Sequence, residues 1–376
     1  GEAPPMERQA GPVARETGPW AWGRRTLSSL LYEVLARGWY VPDSLRPWAD
    51  SAAHHGLRRV RQGLADAMLT SCPSYSSHVA GLRIKRRTGV PWVADFRDLW
   101  TDRPGRAEPG ALQGLRERRL EKEVLSRADR VVIASPVWEE TLCGRYGGWL
   151  RSKLVWLPNG FEGPRDPADR VEEGRAAAPL LPGALRFVYT GAMDSAVTPA
   201  PFLEALGILN ARSPEKVARA EVRLIGYGGP EIGRLRSIVA QYGLEGTVRF
   251  LGARSHEDAL REQEEADILL LFSTAAHRNT ITGKSFEYMR TGKPVLALIP
   301  EDGVQAGLLR EANTAWIVDH GDTGGVLAAL EALLEDAEVP PVEPDWGYIR
   351  QFDRRLLAKR LARMLDAVVG APSPFG

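Results

Sequence analysis

The chain has 376 residues, 44% hydrophobic and 26% charged, with 49 basic and 48 acidic side chains and a net charge of +1. Two cysteines, Cys72 and Cys143, exclude a disulfide framework, and six histidines without an HExxH-type pair give no reason to expect a metal. The longest apolar runs, 268–272 and 295–299, fall far short of the ~20 residues that span a bilayer, and no secretory apolar segment follows Gly1, so a cytoplasmic address is expected.

Such a length is large for one hydrophobic core, and two α/β domains are the expectation. Residues 1–18 have little to bury and read as a disordered lead-in. Residues 20–48 are aromatic-rich and mostly helical in pattern, stopping at Pro42. Helices at 57–64, 79–88, 112–127 and 137–146 then alternate with strands at 65–71, 91–96, 130–135 and 153–157. These assign 19–161 to a first Rossmann-like domain. Residues 162–183, rich in Pro, Ala, Gly and charge with no apolar period, read as a linker. A second alternating series runs through 184–340. Its strands lie at 185–190, 221–225, 247–251, 266–272, 294–299 and 315–318, with helices at 200–210, 230–242, 256–265, 284–290, 304–312 and 323–335. A helix at 348–369, within the final segment 341–376, is expected to cross back to the first domain. Alternation of this kind implies parallel sheets built from right-handed βαβ units, with ligands beyond the carboxyl ends of the strands.

One stretch, ADILLLFSTAAHRNTITGKSFEYMRTGKPVLALI, carries the most chemistry. A buried strand leads through a ten-residue loop to a helix opening near Thr282. Thr282 is the expected N-cap, and Gly283 lets a ligand approach the backbone. Lys284 adds a cation to the same turn, and Glu287 lies one turn on, in reach of ribose hydroxyls. Free N–H groups at a helix start suit a pyrophosphate. TGKS is not a Walker A loop, because Arg278 stands where the first glycine belongs. Gly226-Tyr-Gly-Gly-Pro is not a dinucleotide fingerprint, because Glu231 replaces the last glycine. It is either a tight turn or a backbone, at Gly226 and Gly228, that leaves room for a nucleotide.

At the end of strand 91–96, Asp95, Arg97, Asp98 and Trp100 are expected at a cleft or in a local ion pair, here Arg97–Asp98. Residues 70–78, TSCPSYSSH, bring hydroxyls and an imidazole to the same edge. Arg97, Asp98 and His78 are the catalytic candidates, and Ser76 and Trp100 the candidates for holding an acceptor. Charge is uneven: residues 1–183 hold 28 basic and 22 acidic side chains, the remainder 21 and 26. The clusters at 58–61, 85–87 and 116–119 are either solvated helix faces or a surface for an anionic membrane. They lack the interleaved aromatics of a nucleic-acid interface.

ADFRDLW, ADRVVIAS and KLVWLPNGF resemble the N-terminal domain of the family-4 glycosyltransferases. RFVYTGAM, VRLIGYGG, VRFLGARSHEDAL, ADILLLF and GKSFEYMRTGKPVLAL resemble that family's C-terminal domain, in the same order. The resemblance implies a GT-B fold, with two Rossmann-like domains facing a central cleft. It implies a nucleotide-diphosphate sugar as co-substrate, a hydroxyl acceptor, and retaining transfer without metal or other cofactor. It places Glu287 at the acid that holds the donor ribose and Asn279 where a paired acid is usual. It assigns Gly252 to Arg254 to the loop that reads the base, and Gly191 to the donor site. The usual Arg and Lys after the first C-domain strand are replaced by Ala192 and Thr198, which leaves the diphosphate to Lys284, Thr282 and Gly283, with Arg278 as a further candidate. No opening strand and glycine-rich loop is recognisable in residues 1–56, so the first domain is expected to be incomplete. A nucleotide-sugar epimerase or a non-catalytic scaffold of the same fold are the alternatives.

Overall fold

Short apolar strands bounded by turn residues alternate with helices that are apolar on one side, and each such unit buries itself only against a shared sheet. In the computed structural model, which describes residues 41–103, 109–162, 184–335 and 339–370, two all-parallel sheets result.

The first sheet contains β1 (Met68–Ser71), β2 (Trp92–Phe96), β3 (Arg130–Ile133) and β4 (Leu154–Trp156), in that spatial order. Helices α1 (Arg46–Arg61), α2 (Ser76–Thr88), α3 (Ala111–Arg127) and α4 (Trp138–Tyr146) accompany it. Among the described residues no strand precedes β1, which forms the sheet edge. The first helix differs from the 57–64 expected. It begins at Arg46, with Pro47 in its first turn, because Ala49, Ala53 and Leu57 form a buried stripe at four-residue spacing. The lead-in at 1–18, the helical pattern at 20–40 and linker residues 163–183 lie outside the described residues.

The second sheet has the order β10-β9-β8-β5-β6-β7. Its strands are β5 (Leu185–Thr190), β6 (Ala220–Ile225), β7 (Val248–Gly252), β8 (Ile268–Phe272), β9 (Val295–Leu298) and β10 (Ala315–Val318). Their helices are α5 (Ala200–Arg212), α6 (Pro214–Val217), α7 (Pro230–Gln241), α8 (His256–Glu265), α9 (Gly283–Thr291), α10 (Val304–Glu311) and α11 (Thr323–Glu335). Both faces are covered. Phe187, Tyr189 and Leu224 pack on one side, Val188, Leu269 and Phe286 on the other. After β5 the chain builds outward to β7, then returns to place β8 on the opposite side of β5. The connections after β5 and β8 therefore diverge, and a crevice opens between them at the carboxyl edge.

Two chain crossings join the halves. Phe161 N–H donates to Phe352 O at 3.0 Å, and Arg354 N–H to Phe161 O at 2.8 Å. Gly160 adopts φ 69° there, and a Cβ on it would lie 2.3 Å from Phe352 O, so the crossing needs a glycine. The expected helix 348–369 is two helices, α12 (Trp346–Arg350) and α13 (Arg354–Val369). Asp353 breaks the run by accepting Arg355 N–H as the N-cap of α13. Leu357 of α13 packs with Val93 and Val132, on the face of the first sheet opposite α2 and α3.

Candidate functional site

α9 opens at the mouth of that crevice. Thr282 has the extended backbone of an N-cap (φ −77°, ψ 150°), but its hydroxyl does not cap the helix; it lies 3.3 Å from the Ser285 hydroxyl. Its N–H donates to Gln305 Oε1 at 3.1 Å, which fixes the approach of the loop. The first turn of α9 keeps N–H groups with no intrahelical acceptor, and they carry the positive end of the helix dipole.

Lys284 turns back from this start toward β5. Its Nζ stands 4.2 Å from the centroid of the Tyr189 ring and donates to the Tyr189 hydroxyl, which itself donates to Ala192 O. A Cβ at Gly191, where φ is 132°, would come within 2.7 Å of that Nζ. Gly191 therefore admits the amine, and Lys284 brings a cation to the loop in which Ala192 and Thr198 carry none. Thr198 is turned away, donating to Glu231 at 2.7 Å. Burial lowers the Lys284 pKa to about 8, against the opposing pull of Glu287 and Asp194.

Gly226 is required by the same crowding. It has φ 145°, and a Cβ there would lie 1.8 Å from Gly191 O. A Cβ at Gly228 would lie 2.5 Å from Met193 O. The two glycines thus let the loops after β5 and β6 touch. Beside them lies a cavity of about 300 Å³ lined by Met193, Leu224, Gly226, Ile232, Arg236, Phe250, Leu251 and Gly252. Gly252 has φ 68° with open space around it, and Arg254 beyond it is exposed.

A second cavity, of about 310 Å³, lies between the halves. Arg97, Asp98, Ser135, Trp138 and Asn159 line one wall, and Thr280, Ile281, Thr282 and Gly283 the other. Of the two alternatives for Arg97 and Asp98, the mutual ion pair does not form. The Arg97 guanidinium donates to Asp95 Oδ1 at 3.2 Å, Leu157 O at 3.0 Å and Asn159 Oδ1 at 2.8 Å, which clamps the end of β2 to the crossing. Asp98 is left facing the cavity. Burial raises its pKa, while Arg103, Arg97 and His277 pull it down. Asn279 is exposed, and its carbonyl, not its amide, makes the contact of interest, accepting Trp138 Nε1–H at 2.9 Å.

Three sequence candidates are not at this cleft. His78 is fully buried on α2, with Nδ1 2.8 Å from Thr70 Oγ1 and its ring stacked on Phe96; burial lowers its pKa to about 3. Ser76 is buried against Asp43, its hydroxyl donating at 2.7 Å. Trp100 is 1% exposed and stacks on Tyr75. His78 faces the sheet from α2, Ser76 turns the other way to Asp43 before α1, and Trp100 packs on Tyr75. Ser135, Trp138 and Asn159 were not singled out as site residues. They stand just past β3 and β4, and only the rule that ligands sit beyond strand ends pointed there. Among the described residues no cluster of three metal-ligating side chains occurs, and no helix is long and apolar enough to cross a membrane.

Known proteins share this arrangement. Residues 12–160 match the Glycosyl transferase 4-like domain, and residues 184–336 match the Glycosyl transferases group 1 domain. The chain is 32% identical over 156 residues to the amylovoran biosynthesis glycosyltransferase AmsK of Erwinia amylovora, covering 39% of this chain and 37% of that protein. It is 22% identical over 289 residues to a D-inositol 3-phosphate glycosyltransferase of Corynebacterium jeikeium, covering 74% and 67%. Among solved structures, Anabaena HepE in complex with UDP aligns over 83% of this chain and 82% of its own, with TM-score 0.58 and 18% identity. The sucrose-phosphate synthase of Thermosynechococcus elongatus aligns over 88% and 80%, with TM-score 0.60 and 18% identity. Two parallel-sheet domains in this order, each matched by its own family profile, make the chain a member of the GT-B glycosyltransferases.

Proposed function

We propose that the enzyme transfers a sugar from a nucleoside-diphosphate sugar to a hydroxyl acceptor, with retention and without a metal, and that the donor lies along the crevice between β5 and β8. The observation that carries this reading is the Lys284 amine, enclosed on the first turn of α9 and set against the Gly191 backbone. A cation and free N–H groups converging on one point suit a diphosphate. Glu287, one turn on, takes the ribose. The base enters the cavity beside Gly226 and Gly252, and the sugar points into the cavity between the halves.

Departure of the diphosphate leaves positive charge on the sugar and negative charge on the phosphate. The α9 N–H groups and Lys284 stabilise the phosphate charge as it develops, without reorganising. The leaving phosphate then accepts the proton of the attacking hydroxyl. Arg97 holds the wall of the cavity through Asn159 and Leu157, and Asp98 faces the acceptor. Glu287→Ala and Lys284→Ala each weaken binding of nucleoside diphosphates in calorimetric titration. Unchanged affinity for UDP, GDP and ADP in both variants overturns the donor site.

The acceptor side is proposed to rest peripherally on an anionic cytoplasmic membrane face. Leu112, Leu115, Arg116, Arg119 and Lys122 form an exposed stripe at helical spacing on α3, apolar and basic together. Lys85 and Arg86 do not contribute, being paired with Asp129 and Glu123. Sedimentation with phosphatidylglycerol vesicles but not phosphatidylcholine vesicles is expected, and equal behaviour with both refutes the contact.

A further inference from the structure

Gln263 lies near the end of α8, outside both cavities and outside the loops that line them. It is 1% exposed, and a buried amide needs partners. Its Nε2 donates to Thr190 Oγ1 at 2.9 Å and to Glu287 Oε2 at 3.2 Å. Thr190 ends β5, directly before Gly191, and its backbone N–H donates to the Tyr288 hydroxyl at 3.1 Å. The amide thereby ties a carboxylate on α9 to the end of the central strand. Among the described residues it is the one hydrogen-bond partner of the Glu287 carboxylate. The opposite orientation of the amide would set its carbonyl against that carboxylate, so the charge on Glu287 also fixes which way Gln263 faces.

We propose that Gln263 is a positioning residue for the donor ribose, holding Glu287 Oε2 so that Oε1 is presented to the 2′ and 3′ hydroxyls. This rests on the reading of Glu287 given above. A free glutamate samples several rotamers, and each hydroxyl contact must then overcome the entropy of choosing one. Pre-orienting the carboxylate removes that cost. No local pattern marks the residue: in sequence it is one polar position on a charged helix, 24 residues from its carboxylate.

The test is calorimetric titration of wild type, Gln263→Met and Glu287→Ala with UDP, GDP and ADP, and with their 2′,3′-dideoxy counterparts. Methionine keeps the length and shape of glutamine but removes the donor. Gln263→Met is expected to weaken the best-bound ribonucleotide roughly tenfold, and to leave its dideoxy counterpart within about twofold of wild type. With the matching nucleotide sugar, KM for donor rises while kcat at saturation holds. A parallel loss for both nucleotides makes Gln263 merely structural and overturns the inference. If Glu287→Ala loses ribose discrimination while Gln263→Met retains it, the inference fails and the ribose site stands. If Glu287→Ala itself discriminates as wild type does, the ribose site fails. Should Gln263→Met not fold, Gln263→Leu also removes the donor at similar volume, and a loss confined to the ribonucleotide is expected again; wild-type discrimination in this variant refutes the role.

Discussion

The indole N–H of Trp138 donates to the backbone carbonyl of Asn279 at 2.9 Å, and so joins the first domain to the loop that leads into α9. Trp138 also lines the cavity between the halves. One side chain thus bridges the two halves and lines the space between them. Trp138→Phe keeps the packing and removes the donor. A loss of about 1 kcal/mol follows for one hydrogen bond. Steady-state assays should show kcat/KM down by roughly fivefold, with thermal unfolding shifted only slightly. An unchanged kcat/KM overturns a role for this hydrogen bond in turnover.

Lys284 makes donor binding dependent on pH. Burial puts its pKa at about 8, so the free enzyme carries the charge below that value and loses it above. Affinity for a nucleoside diphosphate should fall as pH rises through about 8, and Lys284→Met should be weak and flat across the same range. The stability of the free protein moves the other way. The unfolded lysine titrates at its ordinary value of 10.5, so the unfolded chain binds more protons between 8 and 10.5 and stability rises over that window. Titrations from pH 6.5 to 9.5 and denaturation from pH 7 to 10.5 check both signs.

His78 contributes to acid instability. Its folded pKa of about 3 lies below the ordinary 6.5, because the ring is buried beside Phe96. Stability is complete above pH 6.5 and is lost as pH falls toward 3, on the order of 3 kcal/mol by pH 4. His78→Leu should flatten that slope in urea titrations while activity at pH 7.5 persists, since the ring does not reach the cleft. Loss of activity in a folded His78→Leu protein would restore it as a catalytic group.

Gly226 is the tightest point of the site, with φ 145° and a would-be Cβ 1.8 Å from Gly191 O. Gly226→Ala must move the Gly191 loop, and with it the seat of the Lys284 amine. A cost of at least ~2 kcal/mol in denaturant unfolding and loss of measurable nucleotide binding are expected. Normal binding in this variant would separate the β5 loop from the donor site.

Sequence alone determined the alternation of strands and helices, the divergence into two sheets, and the start of α9 with Thr282, Gly283, Lys284 and Glu287 in their order. These are local properties: apolar period, turn residues and the helical repeat act within a few residues. The tertiary structure decided which polar groups meet. It turned His78 toward Thr70 and Phe96, Ser76 toward Asp43 and Trp100 onto Tyr75, all away from the cleft. It paired Arg97 with Asp95 and the crossing instead of Asp98. It brought Trp138 to Asn279 across 141 positions, and Gln263 and Thr190 to Glu287. Contacts of that span depend on how two sheets and their loops are placed in space, and no periodicity along the chain encodes that placement.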